Sequence, residues 1–281
     1  VDRIRDMHLT HLASFAPQAL KDEWFMTQFH EAIDYYKKKK FVGSQRNLQF
    51  GGEPVLKSSA KSYNCSYSHC DRLEVFREIE WLLLSGCGCG LSVEQEHVDK
   101  LPNLLKAEEL TKQSEAYVVA DSIEGWADAI HRLLEYYFVP GTTKPVFDYS
   151  EIRPKGARIA GRFIAPGPDG LRLSLDKIRL LLKGAVAAGQ TRLTALQCTD
   201  IIAYLADSVL SGGVRRSALM ILFSPEDKEM VNCKHGDWFT TNPQRARFNM
   251  SAALNRGEVD RSLYESLFQA MRTSGDPGLY W

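Results

Sequence analysis

The chain has 281 residues, of which 35 are basic and 35 acidic, so its formal net charge at neutral pH is zero. This balance excludes nucleic-acid or membrane binding driven by the charge of the whole chain. Apolar residues make up 44% of the sequence, which excludes a disordered chain and favours a globular one. The longest strongly apolar run, residues 81–84, is too short to cross a bilayer, and no signal segment opens the sequence. We therefore expect a cytoplasmic protein.

The first forty residues are predicted to be helical. Pro17 lies where a helix can begin, and apolar residues recur at helical spacing from Trp24 to Tyr36. A run of four lysines at residues 37–40 is typical of a helix C-terminus. We therefore separate an N-terminal helical segment, residues 1–40, from a larger domain, residues 41–281.

A loop-rich stretch is predicted over residues 41–64, followed by a helix. Asp71 and Glu74 form a capping-box pattern before that helix, which should end at residues 85–86. The next string, Gly-Cys-Gly-Cys-Gly at residues 86–90, permits a positive φ and a close approach to a ligand or a neighbouring strand.

Strand and helix patterns alternate from residue 117 onward. Strands are predicted at residues 117–120, 146–152, 217–223 and 248–254, and helices after residue 122, over 170–187, after 199 and around 263–271. This alternation predicts an α/β architecture with mostly parallel strands. The apolar, strand-like residues 278–281 close the sequence abruptly, and we expect that it is a fragment.

Six cysteines without an export signal do not predict a disulfide framework. They are buried thiols, metal ligands or redox groups: Cys65, Cys70, Cys87, Cys89, Cys198 and Cys233. Cys87 and Cys89 are closer in sequence than the usual thiol ligands of zinc, although the upstream Cys65, His69 and Cys70 keep a zinc cluster open.

Two loops have compositions that are typical of functional segments. Residues 211–218 contain two glycines and the adjacent Arg215 and Arg216, whose forked guanidinium groups suit phosphate. Residues 153–170 form a long basic connection with several glycines and prolines, and such loops are frequently functional. A solvated surface loop is the alternative for both.

Eight strings, in family order, resemble those of the adenosylcobalamin-dependent (class II) ribonucleotide reductases. They are residues 44–52, 63–67, 86–94, 119–126, 152–157, 192–195, 212–218 and 275–278. The resemblance implies the first half of a ten-stranded α/β barrel. It also implies reduction of ribonucleoside triphosphates by thiyl-radical chemistry, with adenosylcobalamin as cofactor. The implied partners are a ribonucleotide substrate, a deoxynucleotide effector, a thioredoxin-like or small dithiol reductant, and the missing half of the barrel.

The resemblance assigns roles to individual residues. Cys65 is implied to be the first member of the dithiol that is oxidised during reduction, since two thiols can close a disulfide. The implied substrate contacts are Asn47, Gln49, Asn64, Ser66 and Arg215. The implied effector and specificity-loop residues are Asp71, Arg153, Arg158, Gly213 and Arg216.

The sequence also departs from the family pattern. It lacks the Asn-Pro-Cys-x-Glu string that carries the radical cysteine, so we expect the isolated chain to be inactive. Cys87 and Cys89 stand where Thr and Val are commoner, and we assign them no redox role. The alternatives are a fragment of a class I ribonucleoside-diphosphate reductase large subunit, or a non-catalytic nucleotide- or zinc-binding module.

Overall fold

A computed structural model describes residues 1–159, 163–210 and 218–281. They form two compact units, Val1–Cys65 and Ser66–Trp281. The predicted division at residue 40 stays a prediction. None of the helices in the described ranges has both the length and the apolar character that crossing a membrane requires.

The first unit is helical. Its elements are α1 (Asp2–Phe15), a 3-10 helix (Pro17–Lys21), α2 (Glu23–Lys37), α3 (Gln45–Phe50), α4 (Glu53–Lys57) and a second 3-10 helix (Ser59–Ser62). Helical structure in the first forty residues is confirmed, but the loop-rich prediction for residues 41–64 is wrong in part. Ser44 caps α3 by accepting a hydrogen bond from the Arg46 backbone N–H, and Pro54 lies in the first turn of α4.

The second unit alternates strands and helices, and its first strand begins at the last residue of the first unit. The elements up to residue 159 are β1 (Cys65–His69), α5 (Glu74–Leu84), β2 (Gly88–Ser92), α6 (Gln95–Val98), β3 (Ser114–Val118), α7 (Ile123–Phe138), β4 (Lys144–Asp148) and β5 (Arg158–Ile159). The elements from residue 163 are β6 (Phe163–Ile164), α8 (Asp169–Ala187), α9 (Ala195–Leu210), β7 (Leu219–Phe223), α10 (Lys228–Asn232), α11 (Trp238–Thr241), a 3-10 helix (Pro243–Arg247), β8 (Phe248–Ala253), α12 (Arg261–Ser274) and β9 (Gly278–Tyr280).

The main sheet has five strands in the order β1-β2-β7-β8-β9. The pairs β2–β7, β7–β8 and β8–β9 are parallel, with Leu91 opposite Ile221 and Ile221 opposite Met250. Strands β3 and β4 form a separate parallel pair, and β5 and β6 form a short antiparallel pair. The α/β architecture with mostly parallel strands is confirmed, while closure into a barrel stays a prediction.

The core lies between the main sheet and helices α5, α7, α8 and α9. Its largest fully buried side chains include Phe76, Ile79, Leu91 and Phe223. Strand β7 is buried along nearly its whole length, as expected for a central strand of a parallel sheet covered by helices.

Two local predictions are wrong. Helix α5 begins at Glu74 with Leu73 at the N-cap position and no side-chain cap, so Asp71 lies too early to cap it; its carboxylate accepts a hydrogen bond from Arg72 Nη1 at 2.7 Å. The predicted buried strand at residues 117–120 is shifted, since β3 ends at Val118. Strand β3 is largely exposed because it pairs only with β4 in the described structure, and Val119 is the buried residue after it.

The predicted helix after residue 122 is confirmed, and its cap at Ser122 gives a stability test. Ser122 Oγ accepts a hydrogen bond from the Gly125 N–H at 2.9 Å. We expect Ser122→Ala to lower the free energy of unfolding by about 1 kcal/mol, because it removes the partner of this N–H. Urea unfolding measures the loss. Ser122→Asp supplies another capping oxygen and should unfold like the wild type; equal stability of the alanine variant would contradict the assignment.

Candidate functional site

The cysteines divide sharply by exposure. Of the six, all of which lie in the described part of the chain, only Cys65 is exposed. A hydrogen bond with Cys70, together with burial, raises the pKa of Cys198. Burial raises the pKa of Cys233 to about 12. Since the thiolate is the reactive form, these buried thiols are inert at neutral pH, whereas the thiol at the start of β1 can meet another molecule.

This division predicts a thiol count. We expect one thiol per folded chain to react rapidly with an aromatic disulfide reagent, and all six to react in denaturant. Cys65→Ser should remove the rapid reaction, and Cys87→Ala, at a buried position, should leave it. Rapid modification of two or more thiols in the folded wild type would contradict the assignment.

The two residues that follow Cys65 contact strand β2. Ser66 Oγ donates a hydrogen bond to the Gly88 carbonyl oxygen at 3.3 Å and lies 3.4 Å from Cys89 Sγ. A Cβ atom on Gly90 would lie 2.8 Å from Tyr67 Cδ2, so only glycine leaves room for this ring. The close strand approach predicted for the glycine-rich string is therefore confirmed.

The first unit contains three of the predicted substrate residues. Asn64 accepts a hydrogen bond at Oδ1 from Arg46 Nε, at 3.0 Å, which ties the segment before Cys65 to α3. Asn47 lies on the same helix, and its buried Oδ1 has no hydrogen-bond partner among the described residues. Gln49 is exposed. Sequence reasoning missed Arg46, although it lies within one of the strings that resemble the family.

The second unit contains the described residues that are predicted to lie in the specificity loops. Arg153 Nε donates to Asp121 Oδ2 at 2.5 Å, which fixes the start of residues 153–170, the predicted first specificity loop, next to the N-terminus of α7. Arg158 is exposed in β5. Asp71, paired with Arg72, is partly buried. Asp121 was missed, although a carboxylate directly before a helix start is a signal that sequence provides.

Part of the predicted site lies outside the described residues. The positions concerned are Gly213, Arg215 and Arg216, with the rest of residues 211–217, and residues 160–162 of the first specificity loop. The anion-binding prediction for residues 211–218 therefore stays a prediction.

One cavity of the second unit is lined by none of the described residues of the predicted site. It has a volume of about 540 Å³ and is bounded by α8, α9 and the segment around Arg245. Arg245 donates to both carboxylate oxygens of Asp200, at 3.1 and 2.8 Å, so its charge is neutralised within the protein. Within the described ranges, no three His, Cys, Asp or Glu side chains are placed to hold a metal ion, and the zinc alternative gains no support.

Comparison with known proteins identifies the class of fold. No family model matches the chain. A crystal structure of a B12-dependent (class II) ribonucleotide reductase superimposes with a TM-score of 0.79 at 21% sequence identity. The superposition covers 99% of this chain and 45% of that one. The chain therefore has the fold of this part of a class II ribonucleotide reductase.

Curated relatives are similar to this chain in amino-acid sequence. The adenosylcobalamin-dependent ribonucleoside-triphosphate reductase of Lacticaseibacillus paracasei is 32% identical over 232 residues, covering 70% of this chain and 30% of the relative. A probable enzyme of the same name from Dictyostelium discoideum is 32% identical over 170 residues, covering 59% and 21%. The Euglena gracilis enzyme is 26% identical over 251 residues, covering 86% and 33%.

The resemblance to the adenosylcobalamin-dependent ribonucleotide reductases is thus confirmed. The chain is a homologue of one part of these enzymes, and it spans about a third or less of the length of the curated relatives named above. The names of these relatives specify adenosylcobalamin and triphosphates, which favours class II over the class I alternative.

Proposed function

We propose that the chain is the portion of an adenosylcobalamin-dependent ribonucleoside-triphosphate reductase that binds nucleotides and supplies the first cysteine of the reducing pair. The observation that carries the proposal is the similarity to curated reductases of that name, together with the exposure of Cys65 within one of the matching strings. A cytoplasmic location is part of the proposal.

The proposed role of Cys65 follows from its chemistry and placement. Cys65 and a second cysteine outside this sequence would each lose a hydrogen and close a disulfide. The two electrons reduce the ribonucleotide, whose 2′-hydroxyl leaves as water. A thioredoxin-like protein or a small dithiol would then reduce the disulfide by thiol exchange. This exchange requires an exposed thiol, and the thiol of Cys65 is exposed.

The cofactor proposed is adenosylcobalamin, which supplies the radical when bound. The chain's own part is to present thiol and polar groups to the nucleotide. Cys65 fits, because a thiol that takes part in hydrogen-atom and disulfide chemistry has to be reachable, and this one is exposed at the start of a strand. The remaining half of the barrel is the further partner that we propose.

Polar groups near Cys65 in the sequence are suited to a nucleotide. Asn47 is proposed to accept a hydrogen bond from a ribose hydroxyl at Oδ1, which has no partner among the described residues; because this atom is buried, the side chain has to turn towards the nucleotide. The remaining proposed substrate contacts are Gln49, Asn64, Ser66 and Arg215. The proposed effector and specificity-loop residues are Asp71, Arg153, Arg158, Gly213 and Arg216.

Equilibrium binding of a ribonucleoside triphosphate to the chain tests the proposal. We expect binding, and we expect Asn47→Ala to weaken it by about three- to tenfold through the loss of one hydrogen bond. Asn103→Ala, at an exposed amide outside the proposed site, is the matched control and should bind like the wild type.

Two further results would count against the proposal. Absence of nucleotide binding by the folded wild type would contradict it, and stoichiometric zinc in the purified protein would favour a zinc-binding module. With adenosylcobalamin and a dithiol present, the isolated chain should form no deoxynucleotide, because its sequence lacks the radical-bearing cysteine string.

A further inference from the structure

A carboxyl group lies fully inside the core of the second unit. Glu80, in the middle of α5, has no exposed surface, and α5 packs against α9. Its Oε1 lies 2.7 Å from the hydroxyl oxygen of Ser208, in the last turns of α9. Its Oε2 is also buried and has no hydrogen-bond partner among the described residues. Neither the proposed chemistry nor the nucleotide contacts use this group.

Two contacts of Ser208 bear on which atom holds the proton. Ser208 Oγ lies 2.7 Å from the Leu205 carbonyl oxygen as well as 2.7 Å from Glu80 Oε1. A serine has one hydroxyl proton, and a carbonyl oxygen can only accept. When Ser208 donates to Leu205, the short contact with Glu80 requires a proton from the carboxyl group.

The environment of Oε2 leads to the same protonation state. An ionised Glu80 would leave a charged oxygen in the core without a donor, which is one of the most costly arrangements in a protein. A neutral carboxylic acid avoids that charge and supplies the donor that Ser208 can accept. Burial raises the pKa of Glu80 to about 8.

We propose that Glu80 is a positioning residue, which as a neutral acid donates to Ser208 and so fastens the last turn of α9 to α5. The last turn of a helix is where backbone groups lack partners and where fraying begins. The Glu80–Ser208 contact opposes that fraying, because it holds the last turn of α9 against α5. Helix α9 ends at Leu210, so Ser208 lies within its last turn.

A purely space-filling role for Glu80 makes the opposite prediction. An apolar residue of similar volume in the core is commonly as stable as a buried charged or polar group, or more so. If Glu80 only fills space, Glu80→Leu should leave the end of α9 as protected as before. If Glu80 positions Ser208, the leucine variant should loosen that end, and glutamine, whose amide N–H can donate to Ser208, should restore it.

The test combines infrared spectroscopy with amide hydrogen exchange on the 281-residue chain. Near neutral pH, the wild type should show the carbonyl band of a protonated carboxylic acid, and the band should be absent from Glu80→Gln. Exchange over residues 205–210 should be unchanged in Glu80→Gln. It should be about tenfold faster in Glu80→Leu and in Ser208→Ala, as expected for the loss of one buried hydrogen bond.

Ser208→Ala keeps a strong helix-forming residue in α9 and provides a folded variant if the leucine variant fails to fold. Absence of the protonated-acid band, or wild-type exchange at residues 205–210 in Ser208→Ala, would overturn the proposal. Nucleotide binding by the wild type is measured separately. Its failure would contradict the proposed function, whereas the exchange and infrared results decide the role of Glu80.

Discussion

Cys65→Ser is expected to abolish multiple-turnover reduction of a ribonucleoside triphosphate by a small dithiol in a full-length polypeptide that contains residues 1–281. Serine is almost the same size as cysteine and places a hydroxyl where the thiol stood, so the fold should persist. A hydroxyl cannot close a disulfide, and the two electrons then have no source within the site. We expect kcat to fall by at least about 1,000-fold, measured as deoxynucleotide formed over time.

Cys87→Ala is the matched control. It also removes one sulfur, but at a buried position directly before β2. This variant should turn over like the wild type. Turnover by Cys65→Ser at the wild-type rate with a small dithiol would show that this thiol is not the oxidised one. It would leave the fold assignment intact and remove the role proposed for Cys65.

Glu80→Gln is expected to stabilise the protein at alkaline pH by roughly 4 kcal/mol and to change its stability little near pH 5. The pKa of Glu80 is raised from 4.5 to about 8 in the folded protein because of burial. In the unfolded chain the group ionises at its ordinary value. The contribution of its protonated form is therefore fully present below about pH 4.5 and is lost as the pH rises through about 8.

Glutamine remains neutral at every pH, so the difference between the two proteins should grow with pH over this range. Urea unfolding at several pH values measures it. Glu74→Gln is a suitable control, since Glu74 is exposed on the same helix and its replacement should alter stability little. A wild type and Glu80→Gln variant whose stabilities change in parallel between pH 5 and pH 9 would contradict an acid buried in its neutral form.

Much of the fold is predictable because its signals are local. Helix α8 and strands β7 and β8 follow from apolar periodicity, and α7 begins where Ser122 supplies a capping oxygen. The same reasoning failed at Asp71, because α5 begins at Glu74 and the carboxylate of Asp71 pairs with Arg72 instead. A capping pattern identifies a suitable side chain but not the residue at which the helix begins.

The connections of the candidate site were less predictable, because they join residues far apart in sequence. The Arg46–Asn64 and Arg153–Asp121 hydrogen bonds are examples. The burial of Glu80 could be recognised from the sequence, since Glu80 falls among apolar residues on the buried face of α5. A carboxylate on that face predicts either a partner or a raised pKa, but the partner, Ser208, is supplied only by the packing of α5 on α9.

The register of β1 on the neighbouring strand β2 determines which face of β1 carries Cys65. Alternate residues of a strand point to opposite faces, so a slip of one position would turn Cys65 towards Cys89 and bring Ser66 to the surface. The ring of Tyr67 lies against Gly90, where a Cβ atom would lie 2.8 Å from its Cδ2, and a slip of one position would lose this fit. A side chain at position 90 would therefore change the orientation of the Cys65 thiol without contacting its sulfur atom.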